Sequence, residues 1–194
     1  MQHPKEERTF LMVKTDGVRK GLIGEVIRRI EQRDLKVVAL EMFEASRDEA
    51  DSHYPKDETW IKKVGEKTLS TYEKYGYDAK KEIGTTDILE IGKKVRGWLM
   101  DYLTEAPMVK MVIQGVHAID MVRKIVGDTL PYKAEMGTIR GDFSVDSPTL
   151  ANKEQRAVMN IVHASATEEE AQHEIEFWFN GQKGFQYQRF GIDN

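Results

Sequence analysis

The sequence predicts a single α/β domain, because strand-like and helical patterns alternate along its 194 residues. Short apolar runs at residues 9–14, 36–43 and 107–113 are typical of buried strands. Between and after these runs, apolar residues recur at helical spacing. A chain of this length can bury an adequate core without disulfide bonds, and no internal repeat divides it.

The first half of the chain predicts one helix between two strands and then a helical region. After the strand at 9–14, Asp16 and Gly17 are typical of a turn, and a helix is expected over about residues 22–33. Residues 57–104 are expected to form helices over one face of the sheet. The apolar positions that indicate those helices include Ile88, Ile91, Val95, Trp98, Leu99 and Tyr102.

The second half predicts a helix at 118–126 that ends at Gly127, followed by a long loop over about residues 128–156. Loops of that length usually carry function. A last strand contains residues 161–163, and Thr167 to Glu170 form a predicted capping box at the start of a final helix. The pattern of residues 180–194 does not decide between docking and fraying.

Composition narrows the possible functions. The 29 Lys and Arg against 33 Asp and Glu give a net charge of −4, which argues against a broad nucleic-acid surface but permits a local basic pocket. The absence of cysteine excludes thiol nucleophiles and Cys-based zinc sites. Residues 1–7 lack the apolar core of a secretory signal and no run is long enough to cross a bilayer, so a cytoplasmic protein is expected.

The main candidate for chemistry is His163, which lies among small residues in the run NIVHAS at 160–165. A neutral imidazole can attack without prior deprotonation, and a covalent step divides one hard transfer into two easier ones. On the local pattern alone, a packed or solvent-facing histidine is the commoner outcome.

Three cations, Lys14, Arg123 and Arg140, are predicted at element ends or in the long loop. Arginine offers a planar fork to phosphate oxygens and lysine a compact charge, so this set suits a polyphosphate. Taken singly, each is more simply an ordinary surface cation.

Five separated motifs resemble those of nucleoside diphosphate kinases, in the same order and over nearly the whole chain. They are KTDGV at 14–18, HY at 53–54, GTIRGD at 137–142, NIVHAS at 160–165 and EIEFWF at 174–179. The resemblance implies a ferredoxin-like βαββαβ fold and a ping-pong exchange, in which a nucleoside triphosphate phosphorylates His163 and the phosphohistidine then phosphorylates a nucleoside diphosphate.

The same resemblance implies roles for individual residues. His163 would be phosphorylated on its pros nitrogen, Nδ1, with Ser165 and Glu174 orienting the ring. Lys14 and Asn160 would reach the ribose hydroxyls, and Mg²⁺ would be carried on the nucleotide phosphates without a protein ligand. The residues implied on the phosphate side are Lys14, Tyr54, Arg123, Thr129 and Arg140.

An aromatic clamp for the base is expected, because every base offers a π-face. Trp60 is the candidate through its nearness to Tyr54, and a core or interface tryptophan is an equal alternative. His53 is expected to be structural, since one nucleophile suffices.

The chain departs from the family pattern at three places. Thr15 replaces a usual proline, and extra segments are expected at about 59–96 and 144–158. A homohexamer is implied by the resemblance, with trimer, tetramer and dimer left open. The rival function is a nucleotide-binding regulatory or scaffolding protein on the same fold, and nucleic-acid binding is disfavoured by the acidic balance.

Overall fold

The computed structural model describes residues 6–182 and 184–189. These residues form one antiparallel sheet in the order β2-β3-β1-β4. The strands are β1 (Glu6–Val13), β2 (Lys36–Phe43), β3 (Met108–Val116) and β4 (Val162–Ala164).

Two helices complete a βαββαβ unit with these strands, namely α2 between β1 and β2 and α7 between β3 and β4. The predicted ferredoxin-like α/β fold is therefore confirmed. The helices of the described residues are α1 (Thr15–Arg19), α2 (Ile23–Glu31), α3 (Arg47–His53), α4 (Glu58–Lys74), α5 (Ala79–Ile83), α6 (Ile88–Thr104), α7 (Ala118–Val126), a 3₁₀ turn (Pro131–Lys133), α8 (Ile139–Phe143), α9 (Pro148–Lys153) and α10 (Glu168–Phe179).

The sheet buries both of its faces, because side chains alternate along each strand. Leu11 and Val13 of β1 pack with α2 and α7 on one face. Phe10 and Met12 pack on the other face with α10 and the C-terminal part of α6. His163 pairs with Met12 across the β1–β4 ladder, which places the candidate nucleophile at the edge of this core.

The helical region packs differently from the prediction. Only the end of α6 joins the sheet core, whereas α4 and α5 pack on α6 through a separate cluster that contains Tyr72, Ala79, Ile83 and Ile91. An added Cβ on Gly65 of α4 would lie 2.0 Å from the Ile88 carbonyl oxygen, and one on Gly92 of α6 would lie 2.1 Å from that of Ile61. The two helices therefore touch through their backbones.

Two loop predictions were also wrong in detail. Asp16 and Gly17 lie inside the short helix α1 rather than in a turn, and Asp16 is buried. The segment 128–156 contains the 3₁₀ turn, α8 and α9, whose starts are capped locally by Thr138 for α8 and Ser147 for α9. Thr167 does cap α10, but the Glu170 carboxylate accepts from the Ala166 N–H instead of closing a capping box.

Part of the undecided C-terminal segment lies beside the sheet. The Phe185 N–H donates to the Val38 carbonyl at 2.7 Å, so residues 184–189 run along the edge strand β2. Residue 183 and residues 190–194 lie outside the described part of the chain. None of the described helices is long and apolar enough to cross a membrane.

Candidate active site

His163 lies in the middle of the three-residue strand β4, with 21 % of its side chain exposed. Its ring centroid is 6.0 Å from that of Phe10. The imidazole therefore rests against the sheet core on one side and is still open to a ligand.

A carboxylate fixes the orientation of this ring. His163 Nε2 lies 2.6 Å from Glu174 Oε1, and the Ser165 hydroxyl donates to Glu174 Oε2, also at 2.6 Å. Burial alone would raise the pKa of Glu174, but its hydrogen bonds with His163 and Ser165 leave that pKa below its ordinary value. The ionised carboxylate holds the ring proton on Nε2, which leaves the lone pair on Nδ1.

A tight turn places the histidine strand. Ile161 has φ +69°, which is costly for a β-branched residue, and the Val162 N–H donates to the Asn160 carbonyl at 2.7 Å across it. The Lys14 N–H donates to the Ile161 carbonyl at 2.8 Å, and the Ile161 N–H donates to Asp16 Oδ2 at 3.0 Å. Such strain persists only where the surroundings hold it, and it is common at functional sites.

Asp16 is itself held by α6, because the Tyr102 hydroxyl donates to Asp16 Oδ1 at 2.5 Å. Neither Asp16 nor Tyr102 is predicted as a site residue from the sequence. The only signal in the sequence is that Asp16 belongs to the motif at 14–18. Its partner Tyr102 is 86 residues away, so no local pattern indicates their contact.

Lys14 and Asn160 form a second polar layer beside the nucleophile. Lys14 Nζ donates to Asn160 Oδ1 at 2.9 Å, and Asn160 Nδ2 donates to the Thr129 carbonyl at 3.0 Å. Burial, together with the nearby Arg140 charge, lowers the pKa of Lys14 to about 8. The structure thus joins three predicted residues, with Thr129 contributing its backbone to this contact.

Arg140 is buried and binds the backbone around the turn. Its guanidinium donates to the carbonyls of Asn160 (3.2 Å), Gly127 (2.7 Å) and Val162 (2.8 Å). Burial and the Arg123 charge lower the pKa of Arg140 to about 10. Since an arginine has five N–H donors, two remain for a ligand.

Arg123 is exposed near the end of α7, and its guanidinium makes no hydrogen bond or ion pair with the described residues. Its electrostatic effect on Arg140 indicates that the two cations are neighbours. The predicted cations therefore share one region, with one guanidinium anchored and one free.

His53 is expected from the sequence to be structural, and it lies beside the nucleophile. Its ring centroid is 5.4 Å from that of His163, in an edge-to-face arrangement, and 5.0 Å from that of Tyr54. Burial and the nearby His163 lower the pKa of His53 to about 4. Burial also raises the pKa of the Tyr54 phenol. The pair of residues at the end of α3 thus lines the site.

Trp60 is the predicted residue that the structure does not join to this group. It lies half-buried in the first turn of α4, where its backbone N–H donates to Asp57 Oδ1 at 2.8 Å. Among the described residues it belongs to none of the three apolar clusters. Neither the base-clamp nor the core interpretation gains support from these contacts.

The sequence matches a family model described as nucleoside diphosphate kinase over residues 7–64 and 90–183. Residues 65–89, which fall inside the predicted extra segment 59–96, are not matched. The predicted extra segment 144–158 lies within a matched range.

Curated relatives and solved structures agree with this match. A nucleoside diphosphate kinase of Pyrobaculum aerophilum is 47 % identical over 173 residues, which are 89 % of this chain and 94 % of the relative. A crystal structure of an NDP kinase from P. aerophilum has a TM-score of 0.87 at 44 % identity, covering 94 % of this chain and 100 % of that chain.

A more distant structure holds ligands. It is a transition-state mimic of a nucleoside diphosphate kinase from Borrelia burgdorferi with bound vanadate and ADP, with a TM-score of 0.71 at 32 % identity. It covers 95 % of this chain and 94 % of that chain. By its sequence match and by its fold, the chain belongs to the nucleoside diphosphate kinase family.

Proposed function

We propose that this protein is a nucleoside diphosphate kinase that carries the transferred phosphoryl group on Nδ1 of His163. The observation that carries the proposal is the 2.6 Å contact between His163 Nε2 and the buried Glu174 carboxylate. That contact keeps the proton on one ring nitrogen and leaves the other free to attack.

The phosphoryl transfer takes place in two displacement reactions at phosphorus. In the first, Nδ1 bonds to the γ-phosphorus of a nucleoside triphosphate while the bond to the bridging oxygen breaks, and the diphosphate leaves. Because Nε2 keeps its proton, the phosphorylated ring is cationic, and the Glu174 carboxylate stabilises that charge. In the second, a different nucleoside diphosphate attacks the phosphorus and regenerates neutral His163.

Phosphate binding is assigned to the cations and to the side chains around them. Phosphoryl transfer needs mainly positioning and charge neutralisation, which the free Arg123, the two spare Arg140 donors and Lys14 can supply. Tyr54 and the Thr129 hydroxyl are proposed to contact the phosphates as well. Asn160 and Lys14 are proposed to meet the ribose hydroxyls once the nucleotide replaces part of their mutual hydrogen bonding.

Mg²⁺ is proposed to enter with the nucleotide. It is a hard ion that prefers six oxygen ligands and keeps several waters, so phosphate oxygens suit it better than the imidazoles around His163. When bound there, it neutralises phosphate charge, and the chain's own contribution is the cationic pocket. The B. burgdorferi protein with ADP and vanadate supports a nucleotide in the corresponding fold.

Trp60 is proposed to stack on the base because no other tryptophan lies so near Tyr54 in sequence.

The chain is proposed to be one domain with added segments at 59–96 and 144–158. A homo-oligomer, a hexamer by resemblance, is supported by Leu40 and Met42, which are 50 % and 55 % exposed on the edge strand β2. We propose the cytoplasm as its compartment, in keeping with a chain without cysteine.

The test is incubation with γ-labelled ATP and Mg²⁺ without an acceptor, followed by a chase with a second nucleoside diphosphate. The protein should take up acid-labile, base-stable label that the chase removes. His163→Gln should take up none, whereas His173→Gln, an exposed histidine on α10, should behave as the parent does. Label on the His163→Gln protein would refute the mechanism.

A second measurement separates the rival function. If the parent takes up no label and ADP still raises its unfolding temperature, the protein is a nucleotide-binding regulatory protein rather than a kinase.

A further inference from the structure

The nucleophile belongs to a cluster that has the composition of a metal site. His53, His163 and Glu174 each offer one donor atom, and these atoms lie within 4.8 Å of one another. Among residues 6–182 and 184–189, it is the only group of three or more histidine or acidic side chains whose donor atoms lie this close together. The two rings come from α3 and β4 and the carboxylate from α10, so three elements converge on one point.

We infer that this cluster binds a borderline transition-metal ion such as Zn²⁺ or Co²⁺, and that binding competes with phosphorylation of His163. Two imidazoles and one carboxylate are a donor set that zinc uses, with a fourth position left open. The site is distinct from that of Mg²⁺, which prefers oxygen ligands.

The geometry needs only side-chain adjustment. Donors around a tetrahedral zinc ion lie about 3.3 Å apart for bond lengths near 2 Å. The Nε2–Oε1 pair at 2.6 Å must open, and the His53 donor already lies within 4.8 Å of the other two donors. Both rings are half-buried rather than locked in the core, so rotation of the side chains can supply this movement.

Some of the side chains around the cluster favour metal binding, and one opposes it. The Ser165 hydroxyl holds the second oxygen of Glu174, and such outer contacts orient ligands in metal sites. Trp178, whose ring is 5.5 Å from that of His53, shields one side from water. Lys14 interacts electrostatically with His53 and Glu174, and its positive charge opposes a cation. Replacement of Lys14 by Met should therefore tighten metal binding.

Metal binding should prevent catalysis because it changes which nitrogen of the His163 ring carries the proton. This step rests on the proposed function. When a metal ion bonds to Nε2 of neutral His163, the proton on that nitrogen moves to Nδ1 and no proton is released. Nδ1 then has no lone pair with which to attack phosphorus. Conversely, phosphorylation of Nδ1 leaves Nε2 protonated and excludes the metal. Metal binding and the phosphoenzyme are thus alternatives.

The experiment titrates metal-free protein with Co²⁺ and follows its visible absorption, without nucleotide. All proteins carry His3→Ala, because His3 lies outside the described residues and could bind metal by itself. The parent should bind one Co²⁺ per chain, and Zn²⁺ should displace it. Loss of an outer-shell partner of a metal site costs about 10–100-fold in affinity, so His53→Gln, which removes a ligand, should cost at least that much. The control His173→Gln should bind as the parent does.

Glu174→Gln provides a second ligand variant, and thermal unfolding is used to test that both variants are folded. The parent phosphorylated by ATP and freed of nucleotide should bind Co²⁺ at least about tenfold more weakly, and a nucleoside diphosphate should restore binding. Equal affinity in the folded His53→Gln protein, or no saturable binding by the parent, overturns the metal site. Co²⁺ binding that depends on His53 in a protein that takes no label from ATP keeps the site and overturns the proposed function.

Discussion

The neighbourhood of β4 and the helical hairpin formed by α4 and α6 are both tightly packed, but through opposite chemistry. Around β4 four charged or amide side chains are buried, since Asp16, Arg140, Asn160 and Glu174 are each no more than 6 % exposed. Their donors and acceptors are satisfied mainly by backbone groups and by one another. In the hairpin, close contact depends on Gly65 and Gly92, which carry no side chain at all.

This difference separates what positions the nucleophile from what supports the fold around it. A polar network specifies one arrangement, because each buried group needs its partner. A glycine contact specifies only that two helices lie close together. The hairpin meets the site through two residues of α6: the Tyr102 hydroxyl donates to Asp16, and the Arg96 guanidinium donates to the Tyr54 carbonyl. Changes at the glycine contact between α4 and α6 should therefore alter stability, and changes around β4 should alter chemistry.

The largest effect should come from Glu174→Gln. The amide keeps the size of the carboxylate but loses the charge that stabilises the phosphorylated, cationic ring. The rate of phosphoenzyme formation should fall by about 10²-fold, the lower range for a positioned acid or base group. Rapid-quench measurement with labelled ATP gives this rate.

Glu176→Gln is the matched control, since Glu176 is two residues further along α10 and is exposed. Its rate should equal that of the parent. If the two variants differ by less than about twofold in rate, equivalent to roughly 0.4 kcal/mol, the Glu174 contact does not set the reactivity of His163.

The hairpin should respond in the opposite way to Gly65→Ala and Gly92→Ala. The new Cβ atoms would lie about 2 Å from backbone oxygens of the facing helix, so the helices must separate. Overpacking of this kind costs about 1–3 kcal/mol, measured as the free energy of unfolding in urea. The fraction of folded molecules that take up label should not change.

Gly97→Ala tests whether this cost arises from contact rather than from the loss of glycine. A Cβ on Gly97, also in α6, would meet nothing within 4 Å. Alanine favours helix over glycine by about 1 kcal/mol, so this variant should be as stable as the parent or more so. Destabilisation of Gly97→Ala to the same extent would show that the close approach at Gly65 and Gly92 is not what matters.

Local patterns predicted those parts of the fold that depend on local forces. The helix at 118–126 and the strand at 36–43 have the predicted bounds. The signals are local in both cases: an apolar run for the strand, and for the helix an apolar periodicity followed directly by Gly127. β1 begins at Glu6, earlier than predicted, because its polar first residues pair with β3, from Glu6 opposite Val116. Because the paired residues are far apart in the sequence, a short stretch of sequence does not predict their pairing.

The same limit applies to the site. The motifs identified His163 and Glu174, and the structure places them in contact. Motifs did not reveal the left-handed Ile161, since nothing in an isoleucine indicates positive φ, nor the Tyr102 hydroxyl that holds Asp16. His53 is predicted to be structural because one nucleophile suffices, and only the fold brings its ring to His163.

A smaller effect is expected from the pH dependence of stability at His53. Its pKa is about 4 in the folded protein, chiefly through burial, against an ordinary value of 6.5. The unfolded chain thus binds the proton more readily, so this contribution is fully present above about pH 6.5 and is lost as the pH falls towards 4. Its upper limit is roughly 3.5 kcal/mol, from a pKa shift of about 2.5 units at about 1.4 kcal/mol per unit.

His53→Gln should therefore flatten the slope of unfolding free energy against pH between about 4 and 6.5, as measured by urea denaturation at several pH values. His173→Gln, on the exposed side of α10, should keep nearly the parental slope, because the His173 charge is the smallest of the named causes that act on the pKa of His53. An unchanged slope in His53→Gln would mean that the ring is solvated in the folded protein and does not line a shielded site.

The smallest effect should come from Tyr72→Phe, which probes how the hairpin is tied to the segment before β4. The buried Tyr72 hydroxyl donates to the Asn152 carbonyl in α9 at 2.6 Å. Loss of one such bond costs about 1 kcal/mol, and somewhat more when the carbonyl is left without a partner. Tyr75→Phe, at a residue that is 49 % exposed, should cost nothing measurable in urea denaturation. If Tyr72→Phe also slowed phosphoenzyme formation while Tyr75→Phe did not, the hairpin would act on the nucleophile through α9, and the separation of packing from chemistry would not hold.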